Sequence, residues 1–289
     1  MSQSNELEIV MTSRIVLVRF LLLWFVLSTE IFAQAQKDAP GAPPKVLLVV
    51  YQQILPGKAG ERLRLEVETS RRFDELDVPI TWIELEAVTG PPQALFFDPA
   101  DSFAELDRAG AMLARTFATY PELAEQQQQI EERLSSSKTV VAVRRDELGY
   151  HPERMDLSKA RYLRISVVSL RTGHERDFAE ARKILASPPG VDRSSVLAAV
   201  VYEVDSGMPQ PTFLAVESLR SLADADRKLD TDRHAQQNLP ETERSRLEQI
   251  AREAYASVES NLYAVHPEMS HVSKEFASGD LAFWKPTPR

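Results

Sequence analysis

The stretch "KVLLVVYQQILPGKAGERLRL", Lys45 to Leu65, runs from an apolar, β-branched segment through a glycine turn into a charged amphipathic helix. The same plan returns 116 positions later as "RYLRISVVSLRTGHERDFAEA", Arg161 to Ala181, with Gly173 where the first stretch has Gly57. Further matches lie close to that diagonal. Pro92-Gln93 pairs with Pro209-Gln210 at 117, "SFAELD" from Ser102 with "SLADAD" from Ser221 at 119, and Pro121 with Pro240 at 119. Ala142-Val143 pairs with Ala264-Val265 at 122. Offsets that only grow are what small loop insertions in a second copy produce, so the chain reads as a tandem duplication. A rival pairing of "HPERMDLSK" from His151 with "HPEMSHVSK" from His266, at 115, breaks the series. Within the series "ELGY" from Glu147 pairs with "EMSH" from Glu268 at 121.

Each copy reads as strand, helix, strand, strand, helices, strand. In the first, Leu63, Val67, Ser70 and Phe73 recur at helical spacing, and "ITWIELEAV" and "ALFFD" flank the turn "GPP". Pro121 opens a helix with Leu123, Ile130 and Leu134 near one face. In the second copy Phe178, Ala181 and Leu185 line the first helix. After Pro240, Leu247, Ile250, Ala251, Ala254, Val258 and Leu262 make a wide apolar stripe. The order βαββαβ is the ferredoxin-like plan, an antiparallel sheet with helices on one face. The other face is apolar and needs cover. The expected architecture is therefore α+β, with two ferredoxin-like halves packed sheet to sheet as an intramolecular α/β-barrel pseudo-dimer.

This topology, with the string "TGHERDF" opening a helix, resembles the dimeric α/β-barrel superfamily, in particular antibiotic-biosynthesis-monooxygenase-like and NIPSNAP-like members. The resemblance implies a barrel fold and admits oxygenase-like or haem-handling activity.

The chain has 289 residues, a formal net charge of −9 and no cysteine, so disulfides, thiolate metal sites and a Cys nucleophile are excluded. No stretch gathers the basic density that nucleic acid requires. Arg14 and Arg19, the apolar run from Phe20 to Ser28 and Ala33-Gln34-Ala35 read as an export signal over residues 1–35, with Met11 a possible natural start. A retained membrane anchor is the alternative, though the run is short for a spanning helix. The expected organisation continues with a Pro-rich linker (36–44), the first copy (45–150), a second linker (151–160), the second copy (161–271) and a tail (272–289), where Phe283 and Trp284 are expected to dock onto the body. Export without cysteine points to a bacterial periplasm or secretion from such a cell.

No phosphate loop, GxSxG elbow or HExxH motif occurs, so no cofactor and no metal is assigned. Tyr51, Trp82, Phe96, Tyr202, Phe213 and Tyr263 sit on expected strands; as pocket walls between the sheets they would suit a small apolar ligand, and otherwise they are core. His174 falls at a helix entrance and has Lys58 or Ala59 as its counterpart, which excludes a duplicated catalytic imidazole. His266 and His271, five apart around Pro267, are weak polar candidates in an expected exposed segment. The preferred reading is a monomeric, exported, non-enzymatic ligand-binding or structural barrel. The alternatives are a cofactor-free oxygenase-like or haem-handling enzyme and an envelope protein-interaction module.

Overall fold

The computed structural model describes residues 39–186 and 196–285, so the expected signal segment lies outside the described residues. The described elements belong to the unit Pro40–Arg289. Its first half holds β1 (Val46–Ile54), α1 (Ala59–Glu75), β2 (Ile83–Ala87), β3 (Gln93–Ala100), α2 (Phe103–Thr119), α3 (Pro121–Glu131) and β4 (Leu134–Arg144). The second holds β5 (Tyr162–Leu170), α4 (Glu175–Leu185), β6 (Ala199–Ser206), β7 (Thr212–Leu219), α5 (Ala223–Asn238), α6 (Glu241–Glu253) and β8 (Tyr255–Val265), followed by the short α7 (Lys274–Ala277) and α8 (Leu281–Trp284). None of these helices is long and apolar enough to cross a membrane.

The strands close one antiparallel barrel in the order β1-β3-β2-β8-β5-β7-β6-β4. A barrel of two halves packed sheet to sheet was expected, and the barrel is there, but the sheets do not stay separate faces. Instead they meet edge to edge, through Leu85 to Ala87 on β8 at one seam and Val141 to Arg144 on β6 at the other. Edge pairing satisfies the N–H and C=O groups that two open sheets would leave unpaired.

The halves share register in detail. Val46 faces Ala100 and Val143, while Tyr162, 116 positions on, faces Leu219 and Ala264. Both long pairings slip at the same point, between Gln53 and Ile54 and between Ser169 and Leu170. The register therefore corrects two of the sequence offsets: Gln93 answers to Thr212 at 119 rather than Gln210 at 117, and Ala142 to Tyr263 at 121 rather than Ala264 at 122. Gly57 and Gly173 both have positive φ, which an L side chain resists, and each turns a strand into a helix. Glu105 accepts from the Asp101 N–H, and Asp224 does the same for Arg220, both at 2.7 Å.

Eight strands leave a barrel just wide enough for side chains to fill. Leu47, Val49, Leu85, Leu95, Leu163, Leu214 and their neighbours fill it. Tyr51, Tyr202 and Tyr263 point into this core, whereas Trp82, Phe96 and Phe213 belong to clusters outside it. The outer clusters arise because successive strand residues alternate faces and the helices cover the outside.

Three helical readings change. The covered face of α1 is Arg62, Glu66, Ser70 and Phe73, while Leu63 and Val67 are half-buried. Leu134 starts β4 instead of ending a helix, and Val258 and Leu262 lie on β8. The presumed linkers are packed. Gly41 and Pro43 are buried, and Met155, Leu157 and Ala160 join the core beside Ala277 and Trp284. Trp284 Nε1 donates to Ser158 O at 2.6 Å, so linker and tail together plug one end of the barrel.

Candidate functional site

The outer face of the first half carries charge where an interior normally carries hydrocarbon. Helix α1 lies across β1 and β2, and its inward stripe at i, i+4, i+8 and i+11 brings Arg62 and Glu66 onto the sheet. Alternation on β2 puts Ile83 and Leu85 in the barrel and Glu84 and Glu86 under the helix. Arg62 and Glu84 are 0% exposed and Glu66 is 4% exposed. Arg62 Nη2 donates to Glu84 Oε1 at 2.6 Å and to Gln52 Oε1 at 2.9 Å, and lies 3.2 Å from Glu66 Oε1. Glu86 Oε1 is 3.6 Å from Nη1, and the guanidinium sits 5.7 Å from the centre of the Phe96 ring.

Three carboxyls thus surround one guanidinium in a dry setting, where unbalanced charge is costly. Burial pushes Glu84 well above the usual carboxylate range, with Glu66 adding to it and Arg62 opposing. Burial likewise pushes Glu66 up to about 7, against the pull of Arg62. Glu84 Oε2, Glu86 Oε1 and Arg62 Nη1 are buried without a hydrogen-bond partner.

Beside this cluster a cavity of about 370 Å³ opens between the sheet and α1, α2 and α3. Phe73, Trp82, Phe96, Leu113 and Phe117 form its apolar wall; Gln52, Glu66, Asp98, Gln127 and Glu131 supply its polar groups. The Asp98 carboxyl has no hydrogen-bond or ion-pair partner among the described residues, and burial pushes it up to about 7. Trp82 is fixed from behind. Its Nε1 donates to Met269 O at 2.8 Å, Phe73 packs edge-on at 5.1 Å between ring centres, and His271 lies at 5.2 Å.

The second half has a cavity of its own, about 710 Å³ between α4, α5 and α6 and lined by Leu185, Arg233, Gln236, Arg244 and Leu247, but the positions that match the ion cluster are apolar there. Register carries Gln52 to Val168, Arg62 to Phe178, Glu84 to Val201 and Ala94 to Phe213, and these four form one apolar cluster. Phe178 stacks on Phe213 with 4.6 Å between centres. Glu66 and Asp98 correspond to Arg182 and Glu217, two opposite charges that attract each other.

The sequence-derived candidates scatter over these environments. Trp82 and Phe96 line the cavity. Tyr51, Tyr202 and Tyr263 are in the barrel core, where Tyr202 Oη donates to Pro44 O at 3.1 Å, Tyr263 Oη donates to Gln93 Oε1 at 2.8 Å, and Tyr51 Oη has no partner. Phe213 fills the second half. His174 occupies the N-cap position of α4 with Nδ1 2.7 Å from Asp177 Oδ2, as Lys58 occupies that of α1 with Nζ 2.9 Å from Glu61 Oε1, so it is a helix-entrance residue. His266 and His271 are not exposed: both pack on the first half, because the segment after β8 folds back along β2. His266 Nδ1 lies 3.0 Å from Glu268 and Nε2 3.5 Å from Glu86. His271 Nε2 donates to Val78 O at 2.9 Å, and Nδ1 is 2.8 Å from Asp74. Among the described residues no group of three or more His, Cys, Asp or Glu is placed to hold a metal ion.

No protein-family model matches the sequence, and no curated protein matches it. The course of the backbone is similar to that of several solved structures. One is an anthrone oxidase-like protein, 14% identical, with 76% of this chain and 90% of that one covered at a TM-score of 0.49. Others are a proposed monooxygenase from Lactobacillus acidophilus NCFM (9%, 78% and 95%, 0.46) and a mutant chlorite dismutase from Candidatus Nitrospira defluvii (12%, 78% and 94%, 0.44). At these values the likeness concerns the course of the backbone and says nothing of chemistry.

Haem, which the barrel resemblance admits, does not fit this cavity. Its wall offers no His, Cys, Met or Tyr as an axial ligand, and its polar groups are carboxyls and amides.

Proposed function

We propose that this protein is a small-ligand-binding α/β barrel whose binding site is the cavity of the first half, with Trp82, Phe96 and Phe117 as walls and Glu66 and Asp98 as its polar contacts. One observation carries the reading: register-matched positions are packed with Phe178 and Phe213 in the second half, while the first places buried, incompletely paired carboxyls beside an aromatic-walled cavity. A purely structural layer would be expected to resemble its twin.

Calorimetric titration of the full chain at pH 7 with indole, 2-phenylethanol, 2-phenylethylamine and phenylacetate tests this. Saturable one-to-one binding of at least one probe is expected, abolished in Leu113→Trp, which fills the cavity. Binding by none overturns the reading.

A second reading, acid–base catalysis on the bound molecule, is favoured by Glu66 and Asp98 sitting near 7, where a carboxyl both accepts and gives protons at neutral pH. Deuterium uptake from solvent at the acidic C–H of phenylacetone, lost in Glu66→Gln, would support it.

The remaining proposals follow from sequence and topology. The two halves are a fused duplication that takes the place of a dimer. Closure leaves no free sheet edge, which supports a monomer, and native mass measurement checks it. The amino-terminal segment directs export to a periplasm or beyond, and its absence from the mature protein would support that.

A further inference from the structure

The charged residues of the cavity wall are all acidic. Glu66, Asp98 and Glu131 line it, no Lys or Arg does, and Glu84 and Glu86 stand behind it around Arg62. The groups facing Glu66 are Arg62 on its own helix, Glu84 and Glu86 from β2, Asp98 from β3 and Glu131 from α3, with His266 reaching Glu86 across the seam. One guanidinium and one imidazole therefore confront five carboxyls. Such a set lacks positive charge, and burial makes the lack costly at Glu66 and Glu84, the two that are buried.

The walls supply a second, independent preference. Phe73, Trp82, Phe96 and Phe117 present four aromatic rings to the same space. Aromatic faces attract cations and favour them most when water is excluded. The second half places Arg182 at the position of Glu66, so its own side chain provides the countercharge that the first half lacks.

Resting on the proposed binding function, we infer that the cavity takes an organic cation: a protonated amine on an aromatic or apolar body, its ammonium between Glu66 and Asp98 and its body against the rings. A neutral molecule of the same shape would bury the same area without the countercharge, and a carboxylate would meet three acidic groups and no cation.

The test compares 2-phenylethylamine, 2-phenylethanol and phenylacetate on the full chain by calorimetry at pH 7, in phosphate and in Tris. The amine is expected to bind at least tenfold more tightly than the alcohol, with phenylacetate weakest. Its heat should differ between buffers because entry of the ammonium drives protons off the carboxyls. Glu66→Gln with Asp98→Asn should bring amine and alcohol within about twofold and remove the buffer dependence. Phe117→Leu should weaken the amine more than the alcohol. Equal affinity of amine and alcohol in the unaltered protein overturns the inference while leaving a binding cavity. Failure of all three probes to bind removes the cavity reading and the inference with it.

Discussion

Arg62 and Phe178 occupy the same place in two copies of one design: each projects from the first helix of its half onto the outer face of the barrel. Around Phe178 the neighbours are Val168, Val201 and Phe213, all apolar, and the cavity of that half lies further along, between α4, α5 and α6. Around Arg62 they are Gln52, Glu84, Glu66 and Glu86, and a cavity of about 370 Å³ remains alongside. The fold tolerates either filling, so the backbone does not demand the buried ions. Buried ion clusters commonly contribute less stability than hydrocarbon of the same volume. The difference between the halves is best understood as a stability concession at a working site, a pattern familiar where carboxyl pKa values are displaced.

The comparison can be broken by substitution. Arg62→Ala should cost about 3–5 kcal/mol of stability in urea denaturation, an effect matched only by Phe178→Ala, because it strands buried carboxyls without their counter-ion. The fivefold exchange Gln52→Val, Arg62→Phe, Glu66→Arg, Glu84→Val and Ala94→Phe, which writes the second half's filling into the first, should be neutral or stabilise by about 1–4 kcal/mol. A loss as large as that of Arg62→Ala would mean that the layers are not interchangeable. Phe178→Ala should cost about 3–5 kcal/mol through the cavity it opens under α4.

Acidity sharpens the contrast. Between about pH 4 and pH 7 the folded chain retains protons on Glu66 and Asp98 that the unfolded chain releases. Stability is therefore greatest at the acid end of this range, falls as pH rises towards about 7 and levels off above it. His266 acts with the same sign. The hydrogen bond to Glu268 raises its pKa, with Glu86 adding to it and burial opposing, so its contribution is lost as pH rises through the raised value. Glu66→Gln with Asp98→Asn should flatten most of the profile in urea melts taken from pH 4 to 8. The smallest effect is expected at His174→Gln, which should leave the denaturation midpoint unchanged, since its Asp177 contact sits on the surface and Arg246 also reaches Asp177 at 2.7 Å. A clear drop would give that histidine a role beyond the helix entrance.

The repeat was legible because its markers are local. Gly57 and Gly173 turn strand into helix, and Glu105 and Asp224 fold back on the residue four before. The ion cluster was missed because apolar periodicity favours Leu63 and Val67 as the inner face of α1, whereas Arg62 and Glu66 are inside. A signal did exist. Glu84 and Glu86 alternate with Ile83 and Leu85, and in a ferredoxin-like half the face they occupy is covered by a helix. Charge on a face that topology buries is the mark to look for. Val258 and Leu262 failed for the opposite reason, since a spacing of four residues fits one face of a helix and one face of a strand alike.

Composition and order along the chain determined the duplication, the βαββαβ plan of each half and the exclusion of thiol chemistry, because these depend on neighbours in sequence. Tertiary structure alone decided that the sheets join at their edges, that the barrel interior is filled and that buried carboxyls meet an aromatic-walled cavity under the first-half helices. Those outcomes depend on which side chains meet across hundreds of residues, as Glu86 meets His266 and Trp82 meets Met269. Burial, which sets both packing and acidity, exists only once those contacts have formed.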